Sequence, residues 1–193
     1  MSFAPMPATA AWRHRGGRSG FEVVYFNTRG DGCRIEGWTT AIEDGATWAV
    51  EYLIDADADW ATRRAQIRGR SAEGFCSTLL EADGAGHWLV DGEPAPHLDG
   101  CLDVDLEASA MTNALPMRRM ALPVEAAAAA PAAYVRAIGL AVERLEQTYA
   151  RATDQDTRQR YDYTAPAFDF RCRLVYDQSG LVLDYPGIAG RAG

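Results

Sequence analysis

Hydrophobic and polar residues alternate along the first 110 residues, with the period of two that is typical of β-strands. The clearest case is segment 47–54, where every second residue from Trp48 to Ile54 is apolar or aromatic. Segments 21–26 and 34–42 are also rich in β-branched and aromatic residues. Glycine-containing turns separate such segments at intervals of about 8–12 residues. This pattern predicts a sandwich, a barrel or a large curved antiparallel sheet.

The pattern becomes ambiguous in the C-terminal half. Segment 125–151 is rich in alanine, and its larger apolar residues recur every three or four positions, which taken alone predicts a helix. Pro131 and Gly139 weaken that prediction, because proline and glycine disfavour a helix interior. The last apolar segments, 168–176 and 181–185, return to the β pattern.

Length and composition narrow the class of protein. The 193 residues fit a single domain, 1–193, in which we expect residues 1–19 to form a loosely ordered N-terminal segment. A net charge of −8 argues against nucleic acid as a partner, because phosphate binding requires a basic surface. The four cysteines lack metal-ligand spacing, so we expect reduced thiols, no bound metal and no cofactor.

No stretch approaches the roughly 20 apolar residues of a transmembrane helix. The N-terminus also lacks the basic start and apolar run of a secretory signal peptide. A cytoplasmic protein is therefore expected.

One segment, 98–119, combines residues that packing alone does not require. If residues 101–106 form a strand, Asp103 and Asp105 lie on one face with their Cα atoms about 7 Å apart. Two such carboxylates can bind a cation, flank a glycosidic bond or accept hydrogen bonds from sugar hydroxyls. A solvated sheet face would explain the same pattern without any site.

The residues that follow strengthen the case for a site. Thr112 and Asn113 can begin a short helix, and Arg118 and Arg119 supply planar cationic groups that would hold nearby aspartates ionised. The cluster is either a binding site or a set of ion pairs that staples a loop to the sheet. The sequence contains no GxSxG elbow, so nucleophilic catalysis has little support, and no HExxH or Walker motif is present.

Several blocks together resemble a bacterial family described as "putative glycolipid-binding", long known as a domain of unknown function. The two most specific blocks are CLDVDL at 101–106 and TNALPMRR at 112–119. The remaining blocks are Tyr52 with WATR at 60–63, DGAGHW at 83–88 with DG at 91–92, and GLVLDYPG at 180–187 with Arg191. The resemblance spans most of the chain.

The resemblance implies a mainly β fold, in which a large curved antiparallel sheet wraps like a half-barrel around a single α-helix. It also implies a tight homodimer and a remote likeness to lipoprotein-localisation carriers. Strands around 133–138 and 140–149 are then favoured over a helix, and the one helix lies in 112–120 or in the alanine-rich segment.

An acidic pocket for a glycolipid or sugar headgroup is the functional implication of the resemblance. The expected pocket acids are Asp103 and Asp105, supported by Asn113, Arg118 and Arg119, with Glu51, Arg63 and Tyr185 as further candidates. The resemblance carries no established reaction.

Three functions remain open at this point. The first is a non-enzymatic glycolipid- or sugar-binding protein of bacterial glycolipid or cell-envelope metabolism. The second is a carboxylate-dependent hydrolase of glycosides or lipid esters, which needs a carboxyl group with a raised pKa or a bound cation. The third is a structural dimerisation module, in which the Asp/Arg cluster only stabilises the sheet.

Overall fold

A computed structural model describes residues 3–30 and 32–193 of the chain. Seventeen strands, one α-helix and three short 3₁₀ turns make up its regular structure. The strands are β1 Thr9–His14, β2 Arg18–Arg29, β3 Gly32–Glu43, β4 Ala46–Asp57, β5 Thr62–Ser71, β6 Gly74–Ala82, β7 Trp88–Val90, β8 Glu93–Pro94, β9 Asp103–Leu106, β10 Ala127–Ala129, β11 Ala132–Val135, β12 Val142–Leu145, β13 Thr148–Gln155, β14 Arg158–Ala165, β15 Phe170–Tyr176, β16 Val182–Tyr185 and β17 Ala189–Arg191. The helix is α1 Ala114–Met120, and the 3₁₀ turns are Pro96–Leu98, Met111–Asn113 and Pro166–Phe168.

Fourteen strands form one antiparallel sheet in the order β10-β13-β14-β15-β16-β17-β1-β2-β3-β4-β5-β6-β7-β8. The sheet is open, with β10 and β8 at its two edges. The other three strands form a small sheet in the order β12-β11-β9, in which β11 runs parallel to β9 and antiparallel to β12. The prediction of a mainly β protein with one large antiparallel sheet and a single helix is confirmed.

The N-terminal strand lies in the middle of the large sheet. β1 pairs with β17 on one side and β2 on the other, and the Trp12 side chain is fully buried between them. The expectation that residues 1–19 are loosely ordered is therefore wrong for Thr9–His14, because hydrogen bonds to two neighbouring strands and a buried tryptophan hold that segment in place.

The central strands bury the face that their alternation predicts. In β4, Trp48, Val50, Tyr52 and Ile54 are all buried. Gly37 lies opposite Tyr52 in the register of β3 and β4, and a Cβ atom at residue 37 would overlap the Tyr52 ring. The tyrosine ring therefore packs directly on the glycine backbone, which only glycine permits.

The alanine-rich segment contains strands. The family resemblance predicts this result, whereas the apolar spacing alone predicts a helix. β11 lies between β9 and β12, and all four of its residues are buried. A strand covered on both faces has no polar side to alternate, so its sequence does not show the period of two. Pairing with its neighbours overrides the helical spacing.

The single helix occupies the first of the two expected positions. α1 buries the residues of its first turn, including Leu115 and Met117, against the core. It ends at Ala121, which adopts a left-handed conformation and donates its backbone N–H to the carbonyl of Met117 at 3.0 Å. The helix thus follows directly on the loop that connects it to β9.

Candidate functional site

A pocket of about 350 Å³ lies beside β9 and the loop that follows it. This volume is within the range of about 300–1,000 Å³ that is usual for small-molecule sites. The lining includes Asp105, Asn113 and Tyr185 among the predicted site residues, and the rings of Tyr134, Tyr163, Phe168 and Phe170. The pocket therefore has a polar side, supplied in part by β9 and the 3₁₀ turn Met111–Asn113, and an aromatic side.

Asp105 is one of three acids that line the pocket, with Glu43 and Glu107. Thr112 Oγ1 donates a hydrogen bond of 2.8 Å to its Oδ1, and Gln147 Nε2 donates one of 3.0 Å to its Oδ2. Burial raises the pKa of Asp105 to about 6, against the two hydrogen bonds, and the charges of Asp103 and Glu107 add to the rise. Within the described part of the chain, Asp105 has no ion-pair partner.

Asn113 contributes an amide to the same pocket. Its side chain is 3% exposed, and its Oδ1 lies 3.0 Å from the hydroxyl of Tyr149, which donates to it. The same hydroxyl lies 3.0 Å from Oε1 of Gln147, whose amide nitrogen holds Asp105. Asn113 Nδ2 donates to no described residue, so the pocket contains a fixed donor that a ligand can use.

Three aromatic residues form one wall of the pocket. Tyr163, Phe170 and Tyr185 come from β14, β15 and β16, and their ring centroids lie 6.0–6.2 Å apart in edge-to-face contacts. Tyr134 and Phe168 form a second pair with centroids 5.6 Å apart. Such rings present apolar faces on which the C–H face of a sugar can stack, while their hydroxyls keep a polar edge.

The three arginines that line the pocket each form an ion pair with a carboxylate. The ion pairs are Arg15 with Asp184 at 2.6 Å, Arg18 with Glu43 at 2.9 Å and Arg136 with Glu143 at 3.3 Å. Each cation is therefore offset by a carboxylate beside it, whereas Asp105 is not offset by a cation from the described residues.

A buried acid that the sequence analysis did not select holds the loop behind the pocket. Glu22 on β2 is fully buried, and burial raises its pKa against the hydrogen bonds that it accepts. Those bonds come from Tyr52 Oη at 2.6 Å, from Ser109 Oγ and from the backbone N–H of Ala110 at 2.8 Å. An acid that precedes Val24 and Phe26 on one face of β2 is the sequence signal that could have identified it.

Asp103 is separated from the pocket, although it shares a strand with Asp105. It is 1% exposed, and Arg119 holds it through Nη2 at 2.6 Å and Nε at 3.0 Å. Burial raises the pKa of Asp103, and the hydrogen bonds and charge of Arg119 oppose that rise. The expected pairing of an aspartate with an arginine exists here, but it forms a buried ion pair outside the pocket lining.

Three further predicted site residues also lie away from the pocket lining. Arg118 donates to the carbonyl oxygen of Ser179 at 2.5 Å, and its guanidinium carbon lies 4.1 Å from the centroid of the Trp60 ring. Glu51 lies on the outer face of β4, where its carboxylate is 3.8 Å from Arg68. Arg63 lies 3.6 Å from Asp57 and is about half exposed.

The described part of the chain offers neither a cluster of metal ligands nor a membrane-spanning helix. Within residues 3–30 and 32–193, no group of three or more His, Cys, Asp or Glu side chains is arranged to hold a metal ion. None of the helices in that same range has the length and apolar character needed to cross a membrane.

Comparison with known proteins places the chain in a family. Residues 9–191 match the family described as "Putative glycolipid-binding". The crystal structure of a DUF1089 family protein from Pseudomonas aeruginosa is 31% identical, with a TM-score of 0.76 over 100% of this chain and 98% of the other. No curated protein matches the chain.

A second solved structure is similar in fold alone. It is a β-barrel-like protein of the domain of unknown function DUF1849 from Brucella abortus, 13% identical, with a TM-score of 0.55 over 98% of this chain and 96% of the other. A chain with little sequence identity thus shares the overall fold.

Proposed function

The chain belongs to the glycolipid-binding family, and from this membership and the geometry of the pocket we propose that it binds the sugar headgroup of a glycolipid. The observation that carries the proposal is the pairing of an aromatic wall with fixed polar groups in one cavity. Tyr163, Phe170 and Tyr185 supply the wall, and Asp105 and Asn113 supply the acceptor and the donor.

The chemistry of a sugar fits both sides of the pocket. The apolar C–H face of a pyranose ring would lie on the aromatic wall, and its hydroxyls would donate to Asp105 and accept from Asn113 Nδ2. Because Gln147 and Tyr149 hold these two side chains from behind, little side-chain freedom is lost on binding. The alkyl chain of the bound lipid would extend out of the pocket through its open side.

The arrangement favours binding over hydrolysis. A hydrolase with two carboxylates needs both of them free to transfer protons or attack the sugar. Asp103 is committed to Arg119, and Glu107 accepts the backbone N–H of Ala137 at 2.8 Å. The other two acids of the lining, Glu43 and Glu107, lie within 4 Å of Arg18 or Arg136, so Asp105 is the one lining carboxylate without a cation among the described residues. One such carboxylate does not make the pair that hydrolysis needs, so we propose a non-enzymatic protein.

The setting of the protein is part of the same proposal. We propose a homodimer that acts in bacterial glycolipid or cell-envelope metabolism, and the family description supports the glycolipid part of this proposal. The four cysteines are free thiols, which supports a reducing compartment and hence the cytoplasm. Light scattering of the purified protein would report its oligomeric state directly.

Calorimetric titration with monomeric octyl β-glucoside tests the proposal. Phe170→Leu removes an aromatic face of the pocket and keeps an apolar side chain, and we expect roughly five-fold weaker binding, since one aromatic contact contributes about 1 kcal/mol. The matched control is Phe75→Leu, because Phe75 is 83% exposed and lies outside the pocket. Equal affinities of the two variants would contradict the proposal, and so would the failure of the unmodified protein to bind either this glycoside or its analogue with an amino group in place of one ring hydroxyl.

A further inference from the structure

The charges around the pocket distinguish between classes of headgroup. Arg15, Arg18 and Arg136 each have a carboxylate partner within 3.3 Å. Asp105 has two neutral donors, from Thr112 and Gln147, and no cation among the described residues. The described lining therefore has an uncompensated negative charge and no uncompensated positive one.

The Asp105 carboxylate also retains acceptor capacity. An ionised carboxylate has about four lone-pair sites, and the two hydrogen bonds to Asp105 use one on each oxygen. A ligand group with several donors can use the remaining sites. An ammonium group has three donors, and its positive charge would pair with the carboxylate of Asp105, which has no cation beside it among the described residues.

The aromatic wall favours the same kind of group. The faces of aromatic rings carry a negative quadrupole and attract cations. Asp105 is close enough to act on this wall, because its negative charge contributes, next after burial, to the raised pKa of Tyr163. The carboxylate and the aromatic rings therefore both favour a cationic group in the cavity.

We infer that the headgroup bound in this pocket carries a protonated amine, so that the ligand is an amino-sugar glycolipid. The inference rests on the proposed function and specifies its ligand. The ammonium group would lie at Asp105, the sugar ring on Tyr163, Phe170 and Tyr185, and a ring or hydroxyl oxygen at Asn113 Nδ2. A phosphate or carboxylate in the same place would face Asp105 without a free arginine from the described lining to offset it.

The test compares two octyl glycosides by calorimetry at neutral pH and low salt. One is octyl β-glucoside, and the other is its analogue with an amino group in place of one ring hydroxyl. We expect the amino analogue to bind at least roughly ten-fold more tightly, as a hydrogen bond between charged groups does relative to a neutral one. Octylammonium, which has the amine without the sugar, should bind more weakly than the amino glycoside.

The measured quantity is the ratio of the two glycoside affinities. Asp105→Asn should reduce this ratio to about one, and Glu51→Gln, the same chemical change on the outer face, should keep it. Equal binding of the two glycosides by the unmodified protein overturns the inference and leaves the proposed function standing. Octylammonium binding as tightly as the amino glycoside overturns it as well, and the failure of both glycosides to bind overturns the proposed function itself.

Discussion

The Asp105 carboxyl group should destabilise the protein at neutral pH. Burial raises its pKa to about 6, from an ordinary value of 3.8. The folded protein therefore retains this proton at pH values where the unfolded chain has lost it. Asp105 contributes stability that is fully present below the unfolded pKa and is lost as the pH rises through the folded pKa.

The size of the effect follows from the two pKa values. Their separation corresponds to about 3 kcal/mol of unfolding free energy over the whole range of pH. Between about pH 5 and about pH 7.5, the loss amounts to about 1.4 kcal/mol. After burial, the negative charges of Asp103 and Glu107 also raise the pKa of Asp105, so they contribute to this loss of unfolding free energy.

Another buried group has the opposite dependence on pH. Burial lowers the pKa of His14 from 6.5 to about 4, so its contribution to stability grows as the pH rises toward its unfolded pKa. The unmodified protein alone would therefore show a mixed profile. The difference between the unmodified protein and Asp105→Asn isolates the acid, because His14 titrates in both proteins.

Urea unfolding of the two proteins at about pH 5 and about pH 7.5 measures that difference. The amide introduced by Asp105→Asn cannot titrate, so the unfolding free energy of the unmodified protein minus that of the variant should fall by about 1.4 kcal/mol between the two pH values. The loss of one of the two hydrogen bonds to the carboxylate adds a constant that does not depend on pH. A difference that stays constant within about 0.3 kcal/mol would refute a raised pKa for Asp105.

Three other substitutions test the contacts that hold the site. Asp103→Asn leaves Arg119 without its buried partner and should reduce the unfolding free energy by about 3–5 kcal/mol; a loss below about 1 kcal/mol in urea unfolding would show that the pair is solvated. Tyr52→Phe removes a 2.6 Å hydrogen bond to Glu22 and should cost about 2 kcal/mol by the same measurement, and an unchanged midpoint would contradict the role of Glu22 as an anchor. Gly37→Ala introduces a Cβ atom that overlaps the Tyr52 ring and should lower the melting temperature by several degrees, whereas an unchanged value would mean that the ring is free to move.

The sequence predicts the large sheet because its strands alternate visibly. In segment 47–54, alternate residues are apolar or aromatic, and β4 buries the face that they form. β11 shows no such pattern, because both of its faces are covered and alanine is compatible with a helix. Family resemblance, rather than periodicity, predicts the strands in that region correctly.

The candidate site is predictable only where its residues are close in sequence. Asp105 and Asn113 belong to one short segment, and both line the pocket. Asp103 lies outside the pocket lining because it pairs with Arg119, and the packing of α1 sets the direction of that arginine. Glu22 meets Ser109 across 87 residues of chain, so only the folded sheet brings them together.

The position of a bound sugar ring tests the central proposal most directly. Intermolecular nuclear Overhauser effects between monomeric octyl β-glucoside and the isotope-labelled protein would locate the ring. We predict contacts from the sugar protons to the rings of Tyr163, Phe170 and Tyr185. Contacts confined to Trp38 and Leu53, which line a second cavity on the outer face, would contradict the assignment of the pocket beside Asp105.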